Sequence, residues 1–312
     1  MNKPTEVNDV PVLSIGKVVG QDAIVEQVTV ALDACQMDGK KFDHSLLVGG
    51  PGLGKSMISQ IISAEMAVPC QELLGQSVTS ISDLNAILLQ ASDKSIVFID
   101  ECHEMRKDFQ TALYLALDKQ TIFVNGGKNV QPIPIANFTL LLATTDEYCL
   151  LAPLRDRMKL TLRLQFYSIE DLTTLLRHRI LALGWDVEKG VLPEIAKRGR
   201  GTPRLALRLL QACRRVCRAE GEEALTHAHL RRACVLEQLD DLGLGATEQQ
   251  YLRLLTDGPM RLNVVASSLG LSARTVSQVT ESFLIRAGLI AKDDQSRRQL
   301  TAHGYEHVSS SS

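Results

Sequence analysis

Apolar residues in this chain follow two rhythms, and the change falls near residue 167. Before it, short continuous apolar runs alternate with stretches of helical spacing. Ser45-Leu46-Leu47-Val48, Ser95-Ile96-Val97-Phe98-Ile99-Asp100 and Phe138-Thr139-Leu140-Leu141-Leu142-Ala143 are such runs. They predict parallel strands buried on both faces of a sheet. Between them, Gln21 to Met37 puts Ile24, Val28, Ala31 and Leu32 on one side of a helix, and Met57 to Met66 does so with Ile58, Ile61, Ile62 and Met66. Ser82-Asp83 reads as the cap of a helix over Leu84 to Leu89, and Phe109 to Leu117 is helical. Gln120 to Ile135 interrupts the alternation, with Asn125-Gly126-Gly127 as a hairpin turn. Residues 1 to 14 are polar and irregular.

After Tyr167 the strand runs stop. Ile169–Leu183, Val191–Arg198, Pro203–Glu220 and His227–Leu239 all carry helical spacing, and Asp240 to Gly245 reads as a linker. Leu262 to Leu269, Gly270 and Ala273 to Arg286 form a helix–turn–helix pattern. Leu289-Ile290-Ala291 and Gln299-Leu300-Thr301 then flank a charged turn, the layout of a winged helix. The expected fold is an α/β domain over 1–167 with a parallel sheet flanked by helices. An α-helical domain over 168–241, a winged helix over 242–308 and a disordered serine tail over 309–312 complete it.

The first strand run leads into Gly49-Gly50-Pro51-Gly52-Leu53-Gly54-Lys55-Ser56, which fits G-x-x-x-x-G-K-[ST]. Placed between a strand and a helix, this loop presents backbone N–H groups and a helix dipole to phosphate oxygens. Lys55 would reach the β and γ phosphates of ATP, and Ser56 would ligate Mg²⁺. The second run ends in Asp100-Glu101. There Asp100 would hold Mg²⁺ through water, and Glu101 would orient and activate the attacking water. The third run ends in Ala143-Thr144-Thr145, where a polar residue can sense the γ-phosphate. Read alone, Arg155 and Arg157 make a surface ion pair with Asp156, and Arg204, in the first turn after Gly201-Thr202-Pro203, is a solvated arginine.

Composition narrows the classes without naming one. The 312 residues are 45% hydrophobic and 22% charged, an ordinary globular mix, with a net charge of −2. Nucleic-acid contact must therefore come from a local patch. The seven cysteines lack paired metal spacing; Cys213 and Cys217, four apart on a helix, have no second pair to complete a site. They fit buried residues in a reducing compartment. No signal peptide is evident, and no apolar run reaches the ~18 residues a membrane span needs. A cytoplasmic location is expected.

The order of these motifs resembles that of the AAA+ ATPases: the phosphate loop, Asp100-Glu101-Cys102-His103, Ala-Thr-Thr, Pro153-Leu154-Arg155-Asp156-Arg157, then Arg200-Gly201-Thr202-Pro203-Arg204. The wording is most similar to the RuvB family, the motors of Holliday-junction branch migration. Leu242-Gly243-Leu244, Tyr251-Leu252 and Gly288-Leu289-Ile290 extend the resemblance to the tail, so that it runs from about Val19 to His307. It implies a hexameric ring that hydrolyses ATP with Mg²⁺ to drive duplex or four-way-junction DNA, alongside a RuvA-type partner. Rival readings are an ATPase switch that loads or regulates another recombination protein, and a degenerate nucleotide-binding scaffold.

Position by position, the resemblance implies that Val19 and Gly20 line the adenine pocket, and that Gly52, Lys55, Ser56 and Met57 hold the phosphates. Tyr167 would contact nucleotide. Thr145 would be the first sensor and Arg204 the second. Arg157, or else Arg155, would be the arginine finger offered to the neighbouring subunit's ATP. Lys292, Arg297 and Arg298 match DNA-contacting positions at the wing, with Arg274 opening the preceding helix; a protein-docking winged helix is the alternative. Gln120 to Asn137 is the region of the hairpin that grips the partner, a few residues shorter here. The chain departs from the pattern at Cys102, at Asp146 where an arginine is usual, at Met158-Lys159 in place of Phe-Gly, and at Pro11-Val12, where a basic residue is usual. These mark a divergent member.

Overall fold

In this computed structural model the described residues are 12, 14–126 and 129–310. Pro11 and the third residue of the Asn125-Gly126-Gly127 turn lie outside them, as do most of residues 1–14. The described chain divides into two compact units. One holds the residues up to Leu175 together with Thr202–Arg204, and the other holds Leu176–Gly201 and everything from Leu205 onward. No helix among the described residues is long and apolar enough to cross a membrane.

The first unit contains α1 (Asp22–Asp38), β1 (Ser45–Val48), α2 (Lys55–Glu65), β2 (Cys70–Leu74), α3 (Ile81–Gln90) and β3 (Ile96–Asp100). It continues with α4 (Lys107–Lys119), β4 (Thr121–Gly126), β5 (Asn129–Pro134), β6 (Thr139–Thr144), α5 (Ala152–Arg155) and β7 (Leu160–Arg163). Five strands form one parallel sheet in the order β2-β3-β6-β1-β7. The three strands read from apolar runs are its centre. Ile96–Ile99 and Leu140–Ala143 are at most 1% exposed, because both sheet faces are covered by helices. The outer strands are more open: β2 has only half-buried and exposed positions, and β7 has a single buried residue, Leu162, as edges of such a sheet do. The strand ends are in register, Val48 pairing with Thr144 and Leu74 with Asp100, so the functional loops leave from the same end of the parallel strands.

Local sequence sets the element ends. The cap of α3 is Ser80, in a reciprocal box with Asp83, rather than Ser82. His44, packed edge-on to Phe138, accepts the Leu140 N–H on Nδ1 at 2.8 Å. Burial, then the neighbouring Lys41, pushes its pKa down to about 4. β4 and β5 pair as an antiparallel hairpin with Phe123 opposite Pro132 and Thr121 opposite Pro134, and Ile135 N–H donates to Gln120 O at 3.0 Å.

The helix α6 (Ile169–Leu183) carries the chain into the second unit, which holds α7 (Val191–Arg198), most of α8 (Pro203–Ala219) and α9 (His227–Leu236). Cys213 and Cys217 are buried free thiols there. The same unit holds the winged helix: α10 (Ala246–Leu254), α11 (Leu262–Leu269), α12 (Ala273–Thr275), a π-helical turn over Val276–Thr280, α13 (Glu281–Arg286), β8 (Ile290–Lys292), β9 (Arg298–Leu300) and α14 (Ala302–Ser310). Tyr251, Leu255, Val265, Val276, Leu284 and Leu289 form its core. Ser309 and Ser310, read as part of a tail, complete the last helix; 311 and 312 lie outside the described residues.

Candidate functional site

The phosphate loop follows β1 directly, and Gly49 N–H donates to Thr144 O at 3.1 Å. Gly52 (φ 76°) and Gly54 (φ 107°) occupy left-handed backbone that glycine adopts without steric cost. Pro51 is exposed and Leu53 is buried. Lys55 opens α2 and is 6% exposed; its Nζ donates to Gly49 O at 2.9 Å and Gly50 O at 3.2 Å. Burial draws its pKa down, opposed by Glu101 and Asp100. Ser56 Oγ donates to Asp100 Oδ2 at 3.0 Å, which joins the start of α2 to the end of β3. A hydroxyl beside a carboxylate is a hard oxygen donor set and fits a Mg²⁺ ion that retains its remaining waters.

The acidic turn after β3 is held by the side chain of its first residue. Asp100 Oδ1 accepts Glu101 N–H at 2.8 Å, and Glu101 sits in the left-handed region at φ 48°. His103 Nδ1 lies 3.4 Å from Glu101 Oε2 and 3.1 Å from Thr144 Oγ1. Thr144 is fully buried, and its hydroxyl also accepts the Asp146 N–H at 2.9 Å. Thr145, the residue matched to the first sensor, is exposed beside it. Gly75 supports the turn from the adjacent strand end, since a Cβ at that position would stand 2.5 Å from Glu101 O. Neither His103 nor Gly75 carries a role in the sequence reading.

Val19 and Gly20 precede α1, where Gln21 serves as a clamp. Its side-chain amide donates to Gln165 O at 2.7 Å and accepts Gln165 N–H at 2.9 Å. This holds Gly20 against Tyr167, whose Cδ1 would be 3.3 Å from a Cβ at position 20. Tyr167 is 7% exposed and donates its hydroxyl to Leu53 O at 3.2 Å; burial raises its pKa. Met57 lies against Gly54. Arg204 N–H donates to Gly52 O at 3.4 Å, and a Cβ on Gly52 would be 2.7 Å from Arg204 Cβ. The phosphate loop, the acidic turn, Tyr167 and Arg204 therefore gather in one unit.

The arginines after β6 do not pair as the local reading expects. Arg157 Nε donates to Asp118 Oδ1 at 2.6 Å, Nη2 pairs with the same carboxylate, and Nη1 donates to Pro153 O. Its guanidinium also lies 4.8 Å over the Tyr114 ring. Adjacent residues on a helical turn point apart, so Asp156 yields to Asp118 of α4. Arg155 stacks 5.4 Å over Tyr148.

At the wing, Lys292 is exposed, while Arg297 donates to Asp293 Oδ2 at 2.7 Å. Arg274 Nε donates to Gln278 at 3.1 Å. Arg298 requires a correction: it is 7% exposed and bonds Glu281 at two points, Nε–Oε1 at 2.7 Å and Nη2–Oε2 at 3.1 Å. Tyr251 OH donates to the same carboxylate at 2.7 Å. The period of two in β9 turns Arg298 inward with Leu300, so its guanidinium is committed to the core rather than to DNA. That shared parity with Leu300 was the available signal.

Family models match almost the whole chain: the Holliday junction DNA helicase RuvB P-loop domain over residues 12–164, the RuvB AAA lid domain over 167–240 and the RuvB C-terminal winged helix domain over 241–309. The Holliday junction branch migration complex subunit RuvB of Thermobifida fusca is 37% identical over 292 residues, covering 91% of this chain and 83% of that protein. Its counterpart from Neorickettsia sennetsu is 33% identical over 304 residues, covering 95% and 92%. Among solved structures, a proline-to-glycine mutant of Thermotoga maritima RuvB superposes with a TM-score of 0.86 at 30% identity, covering 96% of this chain and 99% of that one. A second structure, the Thermotoga maritima RuvB Holliday junction branch migration motor, gives 0.82 at 30% identity, covering 98% of both.

Proposed function

Because the chain belongs to the RuvB family of AAA+ ATPases, we propose that it hydrolyses ATP in an oligomeric ring, a hexamer, in the cytoplasm, and moves duplex DNA through a Holliday junction beside a RuvA-type partner. The single observation that carries this is the connected set Lys55, Ser56, Asp100 and Glu101, with Tyr167 and Arg204 in the same unit.

In this reading the loop N–H groups of Gly52, Leu53 and Gly54 and the α2 terminus bind the phosphates, and Lys55 leaves the Gly49 and Gly50 carbonyls for the β and γ oxygens. Ser56 and Asp100 would hold Mg²⁺, which would supply positive charge to the phosphates. Glu101 orients the attacking water and accepts its proton. Thr145 senses the γ-phosphate. Val19, Gly20 and Tyr167 bind the base side of the nucleotide. Arg204 reports phosphate occupancy to α8, of which it is the second residue. Arg157, with Arg155 as second candidate, reaches the ATP of the next subunit; a finger acting in trans is worth ~10³–10⁵ in rate. Lys292 and Arg297 meet DNA phosphates, so binding is insensitive to sequence and weakens with salt.

The test is ATP turnover of Lys55→Ala, Glu101→Gln and Arg157→Ala, and of the latter two mixed. All three singles should be inactive, and the mixture should regain activity, because it pairs one intact site with one intact finger. Unchanged turnover in all three singles would refute ATP hydrolysis at this site. A second reading, an ATPase switch that regulates another recombination protein, is favoured by the wing, where Asp293 and Glu281 occupy two of its arginines. A junction-migration assay separates the two.

A further inference from the structure

We infer that Arg200 is the positioning residue that couples the nucleotide site to the winged helix, an inference that rests on the motor reading above. The chain passes from the second unit into the first between Gly201 and Thr202 and returns after Arg204. It turns there by two consecutive left-handed residues, Arg200 at φ 53° and Gly201 at φ 71°.

On the winged-helix side Arg200 is held at several points. Its Nε donates to Gly243 O at 2.7 Å, its Nη2 donates to the same carbonyl, and its Nη1 donates to Glu248 Oε1 at 2.9 Å. The guanidinium lies 4.8 Å over the Phe283 ring, and Arg286 Nη2 donates to the Arg200 carbonyl at 2.7 Å. The partners come from the linker, from α10 and from α13. The neighbouring Arg198 adds a bond from Nη2 to Asp241 Oδ1 at 2.5 Å. Gly243 (φ 74°) is pressed onto the Arg198 carbonyl, where a Cβ has no room.

On the nucleotide side, four residues along, Arg204 N–H meets Gly52 O at 3.4 Å. Thr202, 7% exposed, abuts the same glycine. Four residues span at most about 14 Å even when fully extended, and this stretch is turned rather than extended. A displacement of Arg204 by the phosphates is therefore delivered within one short segment to Arg200, and through its guanidinium to α10 and α13. A plain staple between the helical domain and the winged helix would also use these contacts, but it would leave the yield of motion per ATP unaltered.

The experiment measures full-length Arg200→Ala, Arg200→Lys and the exchange Arg200→Glu with Glu248→Arg. ATP turnover with and without junction DNA, DNA affinity, and junction movement per ATP are read for each. In Arg200→Ala, turnover without DNA and DNA affinity should stay within about twofold of the parent chain, whereas DNA stimulation of turnover and movement per ATP should fall about tenfold or more. Lysine should not restore them, because it lacks the planar fork and the stacking face; the charge exchange should recover part. If movement falls only in step with turnover or DNA affinity, or does not fall, the inference is overturned. If Arg200→Ala does not fold, Glu248→Gln and Phe283→Leu replace it with the same criteria. A parent chain that hydrolyses ATP but shows neither DNA stimulation nor junction movement refutes the motor reading itself, and the coupling with it.

Discussion

The hydroxyl of Thr144 and the Nδ1 of His103 lie 3.1 Å apart, joining the end of β6 to the turn that follows β3. Glu101 Oε2 is 3.4 Å from that same nitrogen, so the imidazole connects the proposed water-activating carboxylate to the strand that carries the sensor. Replacing His103 with alanine leaves the phosphate loop intact and releases the carboxylate. We expect kcat to fall about 10- to 100-fold with little change in nucleotide affinity. Steady-state turnover and a nucleotide titration check this; a loss of affinity equal to the loss of kcat would place His103 in binding instead.

His44 makes the ATPase unit sensitive to acid. Its Nδ1 accepts the Leu140 N–H, a bond open only to the uncharged ring, and burial holds its pKa near about 4. A histidine depressed in the fold is protonated first in the unfolded chain. Its contribution is complete above the ordinary histidine value of about 6.5 and is lost as pH falls toward 4. The loss should reach at most about 3 kcal/mol. Denaturant unfolding of the parent chain and of His44→Gln across pH 7 to 4 tests it: the variant should show a flatter profile.

Two basic residues of the wing should separate stability from DNA affinity. Arg298 and Glu281 are side-chain pairs with 9% and 1% exposure, and removing one leaves the other charge buried. Arg298→Ala should therefore cost roughly 3–5 kcal/mol of winged-helix stability. Lys292→Ala should leave the unfolding temperature unchanged and weaken DNA binding, with a salt slope lower by about one. Thermal unfolding and DNA titration at several salt concentrations decide the matter; an unchanged melting curve for Arg298→Ala would contradict the buried pair.

Asp118 competes for the proposed finger. Its carboxylate binds Arg157 at two points, and this bond holds the acid below its usual pKa range. Asp118→Asn should weaken the clasp and let the ring assemble at lower protein concentration with turnover at least equal to the parent. Native mass measurement beside an ATPase titration reads both. A drop in turnover would show that Asp118 aims Arg157 instead of restraining it.

The central strands and the phosphate loop are legible in the sequence because their causes are local: continuous apolar runs for Ile96–Ile99 and Leu140–Ala143, and glycines where the backbone must turn. The edge strands β2 and β7 are not legible, since Gln71-Glu72 and Thr161 interrupt their apolar residues and only sheet pairing makes them strands. The helix α10 carries no such signal, because its two buried residues, Tyr251 and Leu252, sit side by side near its end and leave no periodic stripe. At the site, Lys55, Asp100 and Glu101 could be read from motifs, whereas Gly75 and His103 act across strands and carry no local signal. Arg298 is not legible as a core residue, because a charged residue near a turn suggests solvent, and only its pairing with Glu281 makes burial tolerable.

The hairpin β4–β5 has one further property. Ile135 points its N–H inward to Gln120, so positions 132 and 134 face the open side, and both are proline. That flank therefore offers no amide hydrogens at these places, and another chain cannot extend the ribbon by ordinary strand pairing there. Whatever protein docks on this arm must recognise side chains such as the half-exposed Phe123, and copies of the arm are kept from sticking to one another along that flank.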